Sequence, residues 1–332
     1  MAALIANPDA QFVFWALLKI VVILGAMLGV VSYLIYAERK IAGHIQARVG
    51  PNRVGPLGLL QPIADVLKLF FKEEFIPDDA NKVIFHIAPI LAVLPALVTF
   101  SVVPIGPNFI VTDINVGLLL FLAMSSLGVY SITLAGWSSN NKYALIGGLR
   151  SSAQMISYEL AMGLSTIGVL LLAGSLSLLD IVHAQERMWF VVYQPVAFVI
   201  FMITAFAETN RAPFDLPEAE AELVAGFHTE YSSMKFGMFF LGEFMNVIAI
   251  CSIAVTLFLG GWNGPWLPEP LKFLWFFAKL GVLLFFFIWV RWTYPRLRYD
   301  QLMHFGWKVL LPLALANVVL TGTGLYWVGT RS

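Results

Sequence analysis

The sequence predicts an all-α polytopic membrane protein. About eight transmembrane helices, both termini outside, an interfacial amphipathic helix and long cytoplasmic loops are expected. Three observations predict it. Of the 332 residues, 59% are hydrophobic and only 12% charged, with a mean hydropathy of +0.82; soluble domains carry about 25% charged residues. Apolar runs recur at lengths near the ~20 residues that a bilayer core demands of a helix. The basic residues then divide unequally between the segments that separate those runs, as the positive-inside rule requires.

The runs fall at about 12–36, 83–103, 116–137, 153–174, 189–207, 236–260, 271–291 and 307–328. Between the first and second, residues 38–82 hold seven Lys or Arg; loop 138–152 adds Lys142 and Arg150, the segment after the fifth run adds Arg211 and Lys235, and the last internal loop and its edges add Arg291, Arg296, Arg298 and Lys308. The opposite side holds only Arg187, Lys272 and Arg331. Such a bias puts the long loops inside. Trp15, Trp189, Trp262, Trp266 and Trp327 lie near run ends, where interfacial anchors belong. Neither an internal repeat nor a low-complexity linker divides the chain, so residues 1–332 read as one membrane domain. The first run has Asp9 before it and its basic flank after it, so no cleavable signal is expected.

Composition also excludes. Net charge is zero, which gives no electrostatic case for nucleic acid. A single cysteine, Cys251, cannot form an intrachain disulfide or hold an iron–sulfur cluster by itself. His44, His86, His183, His228 and His304 are scattered without metal-ligand spacing, and neither GxGxxG nor GxxxxGK[ST] occurs. No metal and no cofactor bound by this chain alone is expected.

Four segments depart from a plain membrane bundle. Residues 36–58 contain Gly50-Pro51 and Gly55-Pro56, which forbid a continuous helix, among the basic residues Arg39, Lys40, Arg48 and Arg53. Residues 59–73 place Gln61, Asp65, Lys68 and Lys72 on one helical stripe and Leu60, Ile63, Leu67 and Phe70 on other faces. At that length, with that charge, the helix is expected to lie in the interface. Residues 208–230 hold six of the chain's twenty carboxylates: Glu208, Asp215, Glu218, Glu220, Glu222 and Glu230. Asp215-Leu216-Pro217-Glu218 has the form of a capping box, so a short helix over about 216–225 is expected, with Glu218 and Glu222 on one face and Glu220 nearly opposite. Finally Lys19, Glu159, Glu243 and Lys279 lie within runs, where a bare charge costs at least about 2.5–3.5 kcal/mol. Lys19 has room to snorkel, whereas Lys279 needs a carboxylate, for which Glu243 on the preceding run is the natural candidate.

On AERKIAGHIQARVGPNRVGPLGLLQPIADVLKLFFKE (37–73), ETNRAPFDLPEAEAELVAGFHTEYSSMKFGMFFLGE (208–243) and RWTYPRLRYDQLMHFGWKVLLPL (291–313), the chain closely resembles the H subunit family of bacterial NADH:quinone oxidoreductase, respiratory complex I. The resemblance implies a membrane subunit of a proton-translocating enzyme, with the bacterial inner membrane preferred over the mitochondrial inner membrane. It implies FMN and iron–sulfur clusters in partner subunits, a quinone as substrate, soluble-arm subunits that carry the terminal cluster and complete the quinone-site wall, and small and antiporter-like membrane subunits as further partners. Glu38, Arg39, Lys40, Arg48, Asp65, Arg211, Phe214, Phe227 and Glu230 would line or frame the quinone chamber. Glu159, Glu208, Asp215, Glu218, Glu220, Glu222, Glu243 and Lys279 would form the proton path. Two alternatives stay open: a membrane subunit of a related membrane-bound hydrogenase, which the run PEAEAELVAGFHTEYS argues against, and a stand-alone ion transporter, which would be expected to show an inverted repeat.

Overall fold

The computed structural model describes residues 8–107, 109–216 and 224–329. Its helices are α1 (Pro8–Ile45), α2 (Gln61–Phe71), α3 (Lys82–Val102), α4 (Gly117–Ser138), α5 (Lys142–Ala173), α6 (Leu178–Ala184), α7 (Phe190–Tyr193), α8 (Pro195–Glu208), α9 (Ser233–Phe258), α10 (Phe273–Thr293), α11 (Tyr299–Phe305) and α12 (Leu311–Gly329). Among the described residues the only β pairing is the isolated Gly106–Phe109 bridge. Among the described residues, seven helical stretches are long and apolar enough to cross a membrane: most of α1, then α3, α4, α5, α9, α10 with the turn before it, and the run from α11 into α12. The chain is a multi-pass membrane protein.

Local chemistry sets the helix limits. Asn141 caps α5 by accepting from the Tyr143 amide at 2.9 Å, and α5 ends where Gly174 turns left-handed at φ 69° and donates to the Leu170 carbonyl at 2.8 Å. Ser177 caps α6 by accepting from Asp180. Pro195 starts α8, where a proline costs nothing because the first-turn amide has no helical partner.

Three sequence boundaries move. The first helix runs on to Ile45 and carries the charged Glu38-Arg39-Lys40 segment as helix rather than loop. The expected loop 138–152 shrinks to a turn at 139–141, and Lys142 and Arg150 lie on α5. The fifth run is broken at Gln194 into α7 and the fourteen-residue α8. At 1.5 Å per residue α8 spans about 21 Å, short of the ~30 Å hydrocarbon core. The helix expected over 216–225 falls mostly outside the described residues.

The central helix is α9, whose side chains from Phe244 to Phe258 are almost all buried. Close approach to α3 depends on Gly242: a Cβ there would sit 2.7 Å from the Ala92 carbonyl oxygen. The α4–α5 hairpin closes in the same way, since a Cβ on Gly136 would meet the Ala144 carbonyl at 2.5 Å. Small residues that bring backbones together are the usual packing device of membrane helices. By contrast α1 leaves most of its apolar surface uncovered, as expected of a helix that faces lipid or a neighbouring protein.

Helix order defines two ends of the bundle. One gathers the C-terminal parts of α1, α4, α8 and α10 with α2, the start of α3, α5 and α9, and the loop after α8. The other gathers the connections 103–116, 174–194 and 259–272.

Candidate functional site

At the first of these ends four charged side chains converge from four distant segments. Arg211, in the loop after α8, is almost fully buried. Its Nη1 donates to Glu38 Oε2 on α1 at 3.0 Å and its Nε to Glu243 Oε1 on α9 at 2.8 Å. Arg291, near the end of α10, donates through Nη1 to Glu38 Oε1 at 2.7 Å and lies 4.0 Å from Glu243. The Arg211 guanidinium also rests over the Phe244 ring, 4.2 Å from its centroid. Two acids and two bases make the cluster formally neutral, which is how buried charge is tolerated. Its Arg211 Nη2 is buried without a partner among the described residues.

Glu243 has a second neighbourhood. A cavity of about 80 Å³ lies between α3, α4, α5 and α9, and Glu243 borders it together with Glu208, Asn210, His228 and Asn246. Glu208 ends α8, and both its carboxyl oxygens are buried and unpartnered among the described residues. Its charged neighbour is Glu159 on α5, which accepts a hydrogen bond from Ser126 Oγ on α4. His228 sits against Phe227 and Phe236, and burial pulls its imidazole down to about 4, so it is neutral at pH 7.

The segment between Glu208 and the acidic run is tied down from several sides. Gln154 Nε2 donates to the carbonyls of Ala207 and Phe214, each at 2.8 Å, the Leu297 amide donates to the Pro213 carbonyl, and Arg296 Nη2 donates to Asp215 Oδ2 at 2.9 Å. The Phe214 ring packs edge-on to Tyr158. Burial pushes the Asp215 carboxyl from its ordinary 3.8 up to about 6 despite the Arg296 and Arg291 charges, because desolvation outweighs their attraction.

That shift has a sign. Between about pH 4 and 6 the docked segment holds a proton that a released segment gives up, so docking weakens as pH rises through this window and levels off above it. The loss is roughly 1–3 kcal/mol. Asp215→Asn is expected to abolish this slope, read as hydrogen-exchange protection of amides 209–212 and 214–216 from pH 4 to 7 after correction for intrinsic exchange; an unchanged slope would assign it to another group.

On the other flank α2 lies between α1 and the start of α9. Arg39 on α1 bonds Asp65 on α2 at 2.5 Å, Ser233 and Ser232 donate to the carbonyls of Leu69 and Glu73, and Lys235 pairs with Glu74. Ile63, Val66, Leu67 and Phe70 remain exposed, so the amphipathic helix presents an uncovered apolar face.

The family model for NADH dehydrogenase matches residues 18–322. The chain belongs to that family. It is 58% identical to the first H-type chain of NADH-quinone oxidoreductase from Geobacter metallireducens, over 95% of this chain and 98% of that protein. The second H-type chain of the Syntrophobacter fumaroxidans oxidoreductase is 52% identical over 94% and 96%. The H-type chain from Magnetococcus marinus is 52% identical over 94% and 92%. Members of this family are membrane components of a multisubunit oxidoreductase.

The residues expected to line one chamber separate into layers. Glu38 and Arg211 belong to the buried cluster, Arg39 and Asp65 clamp α2, Lys40 lies 6.0 Å from the Tyr36 ring, and Arg48 is exposed beside Gln46. Phe214 and Phe227 are buried packing residues, and Glu230 accepts from Asn141 Nδ2 at 2.7 Å. Of the expected proton path, Glu208 and Glu243 line the cavity and Glu159 lies within electrostatic reach of Glu208, whereas Glu218, Glu220 and Glu222 lie outside the described residues.

One expectation needs correction: Lys279 does not meet Glu243. The partner of Glu243 is Arg211, and Leu259, whose carbonyl Lys279 contacts, is sixteen residues farther along the chain, about 24 Å at helical rise. Lys279 Nζ instead donates to the carbonyls of Leu259, Gly261 and Asn263 at 2.6, 3.0 and 2.6 Å, at the opposite end of the bundle. Sequence reasoning also misses the parts played by Arg291, Gln154 and Ser126. Gln154, a polar side chain inside an apolar run, is a usable signal; Arg291 looks like one more basic residue at a helix end.

Proposed function

We propose that this chain forms the membrane wall of a quinone-reduction chamber and passes the electrostatic consequence of quinone chemistry to a proton path. The single observation that carries the reading is Glu243, which is bonded to the Arg211 cluster on one side and borders the Glu208 cavity on the other. By the basic-residue count the cluster end faces the cytoplasm of a bacterial inner membrane. Soluble-arm subunits dock there and deliver electrons from their iron–sulfur clusters and FMN. The exposed apolar face of α2, beside α1, frames the entry of a quinone tail from lipid.

Quinone reduction takes up two electrons and two protons. The chain's own residues hold and move those protons and stabilise charge. Glu208, with both oxygens buried and unbonded, rests as the neutral acid, because an unpaired buried carboxylate costs several kcal/mol. A change in charge beside Arg211 alters how strongly it holds Glu243. A freed Glu243 can take a proton across the cavity from Glu208, which recovers one through Glu159. Small and antiporter-like membrane subunits continue the path. The acidic run with Glu218, Glu220 and Glu222 lies next in sequence to this gate.

The test is Glu208→Gln in the assembled complex, reconstituted in liposomes. The amide keeps the shape and cannot exchange a proton. Proton translocation is expected to fall by roughly a hundredfold or more, in the range of a lost acid–base group, while reduction of a soluble acceptor by the peripheral arm is unchanged. Full quinone reduction with full proton pumping would overturn the relay.

A further inference from the structure

At the end of the bundle opposite the Arg211 cluster, two adjoining depressions share one residue. The first is an apolar groove of about 800 Å³ between α1, α3, α9 and α10, lined by Val22, Val30, Phe100, Phe277, Gly281 and Leu284 among others. The second is a charged basin of about 740 Å³ that includes Glu186, Arg187, Trp189, Asn263 and Lys272. Glu269 stands on the rim of both.

Three features of this pair select its occupant. The α10 residues of the groove run from Phe273 to Leu284, about 16 Å of helix, which matches half of the ~30 Å hydrocarbon core. A crossing helix from another protein would need twice that height; one leaflet's acyl chain needs just this depth. The basin lies at the mouth of the groove, where a head group would sit, and Trp189 and the almost fully exposed Trp266 mark that level as interfacial. Its charges are two bases and two acids, with Glu269 shared. Among the described residues, exposed Arg187 has no ion-pair partner and Lys272 is held only by Glu269, at 3.7 Å.

We infer that this end of the protein binds a zwitterionic aminophospholipid from the outer leaflet. One acyl chain fills the groove, the phosphate sits on Arg187 and Lys272, and the ammonium group meets Glu269 and Glu186. The matched charges favour a zwitterionic head group over a purely anionic one, which would leave both carboxylates facing its phosphate. The site is separate from the cluster and cavity used above, so it stands or falls independently of the proposed proton path.

Gly281 provides a specific block. A Cβ built there meets nothing within 4 Å, so Gly281→Trp places an indole in the groove without moving the backbone. Arg187→Gln with Lys272→Gln removes the phosphate partners from the surface and leaves the core alone. The assembled complex is delipidated in detergent, exposed to mixed vesicles of phosphatidylethanolamine and phosphatidylglycerol, and weighed by native mass spectrometry. Wild type is expected to retain one phosphatidylethanolamine more than either variant, with no difference in phosphatidylglycerol. Equal phosphatidylethanolamine in all three, retention of phosphatidylglycerol in its place, or a density map with a protein helix in the groove would overturn the assignment.

Discussion

Arg211→Ala is expected to remove this chain from the assembled complex almost completely. The guanidinium is buried and bonds Glu38 and Glu243 at once, at 3.0 and 2.8 Å. Without it, among the described residues, Arg291 is the cation left facing two carboxylates, and it approaches Glu243 no nearer than 4.0 Å. Breaking a buried ion pair from one side costs about 3–5 kcal/mol, since the abandoned charge stays desolvated. That is a large fraction of the roughly 5–15 kcal/mol that stabilises an ordinary folded domain. The loss also reaches beyond the pairs, because the same arginine joins α1, α9 and the loop after α8. Arg211→Lys should be milder but not neutral: a point ammonium cannot reproduce the two-nitrogen grip on two acids. The measurement is the amount of assembled complex in native gels and its melting temperature. Normal assembly of Arg211→Ala would mean that the two carboxylates are content as neutral acids, and the cluster would lose its electrostatic meaning.

The cluster also shows where sequence reading stops. The spans themselves are legible, because a bilayer imposes length and apolarity on contiguous residues. The amphipathic stripe of α2 is legible for the same reason: its pattern is local. Residues 142–152 look like loop because Lys142 and Arg150 are charged, although Asn141 has already capped a helix there. The cluster draws on residues 38, 211, 243 and 291, and no local pattern connects positions so far apart. The rule that a buried charge needs a partner is sound, but choosing the partner requires depth in the bundle, which the order of residues does not give. The same rule, applied without depth, pairs Glu243 with Lys279.

Lys279→Met is the substitution that separates a proton carrier from a structural cation at this position. If Lys279 were a proton carrier, the variant would assemble and fail to pump. The structure instead makes it a staple. Its ammonium collects three carbonyls just past the end of α9, where a helix leaves unbonded acceptors and a negative dipole end. Gly260 and Gly261, at φ 71° and 53°, curl the chain so that these carbonyls converge, and Trp189 closes the cage with its ring 4.3 Å from the ammonium. Gln185 fixes the same turn by accepting from the Gly260 amide at 3.0 Å while donating to the Thr256 carbonyl at 2.8 Å. Met fills a similar volume but donates nothing, so three acceptors lose their partner at about 1–3 kcal/mol for each that water cannot reach. Partial access of water at this end brings the expected total to roughly 2–5 kcal/mol. Assembled complex should therefore fall steeply, and the fraction that does assemble should pump the normal number of protons per electron. A Lys279→Met complex that assembles fully and has lost only its pumping would return this lysine to the proton path.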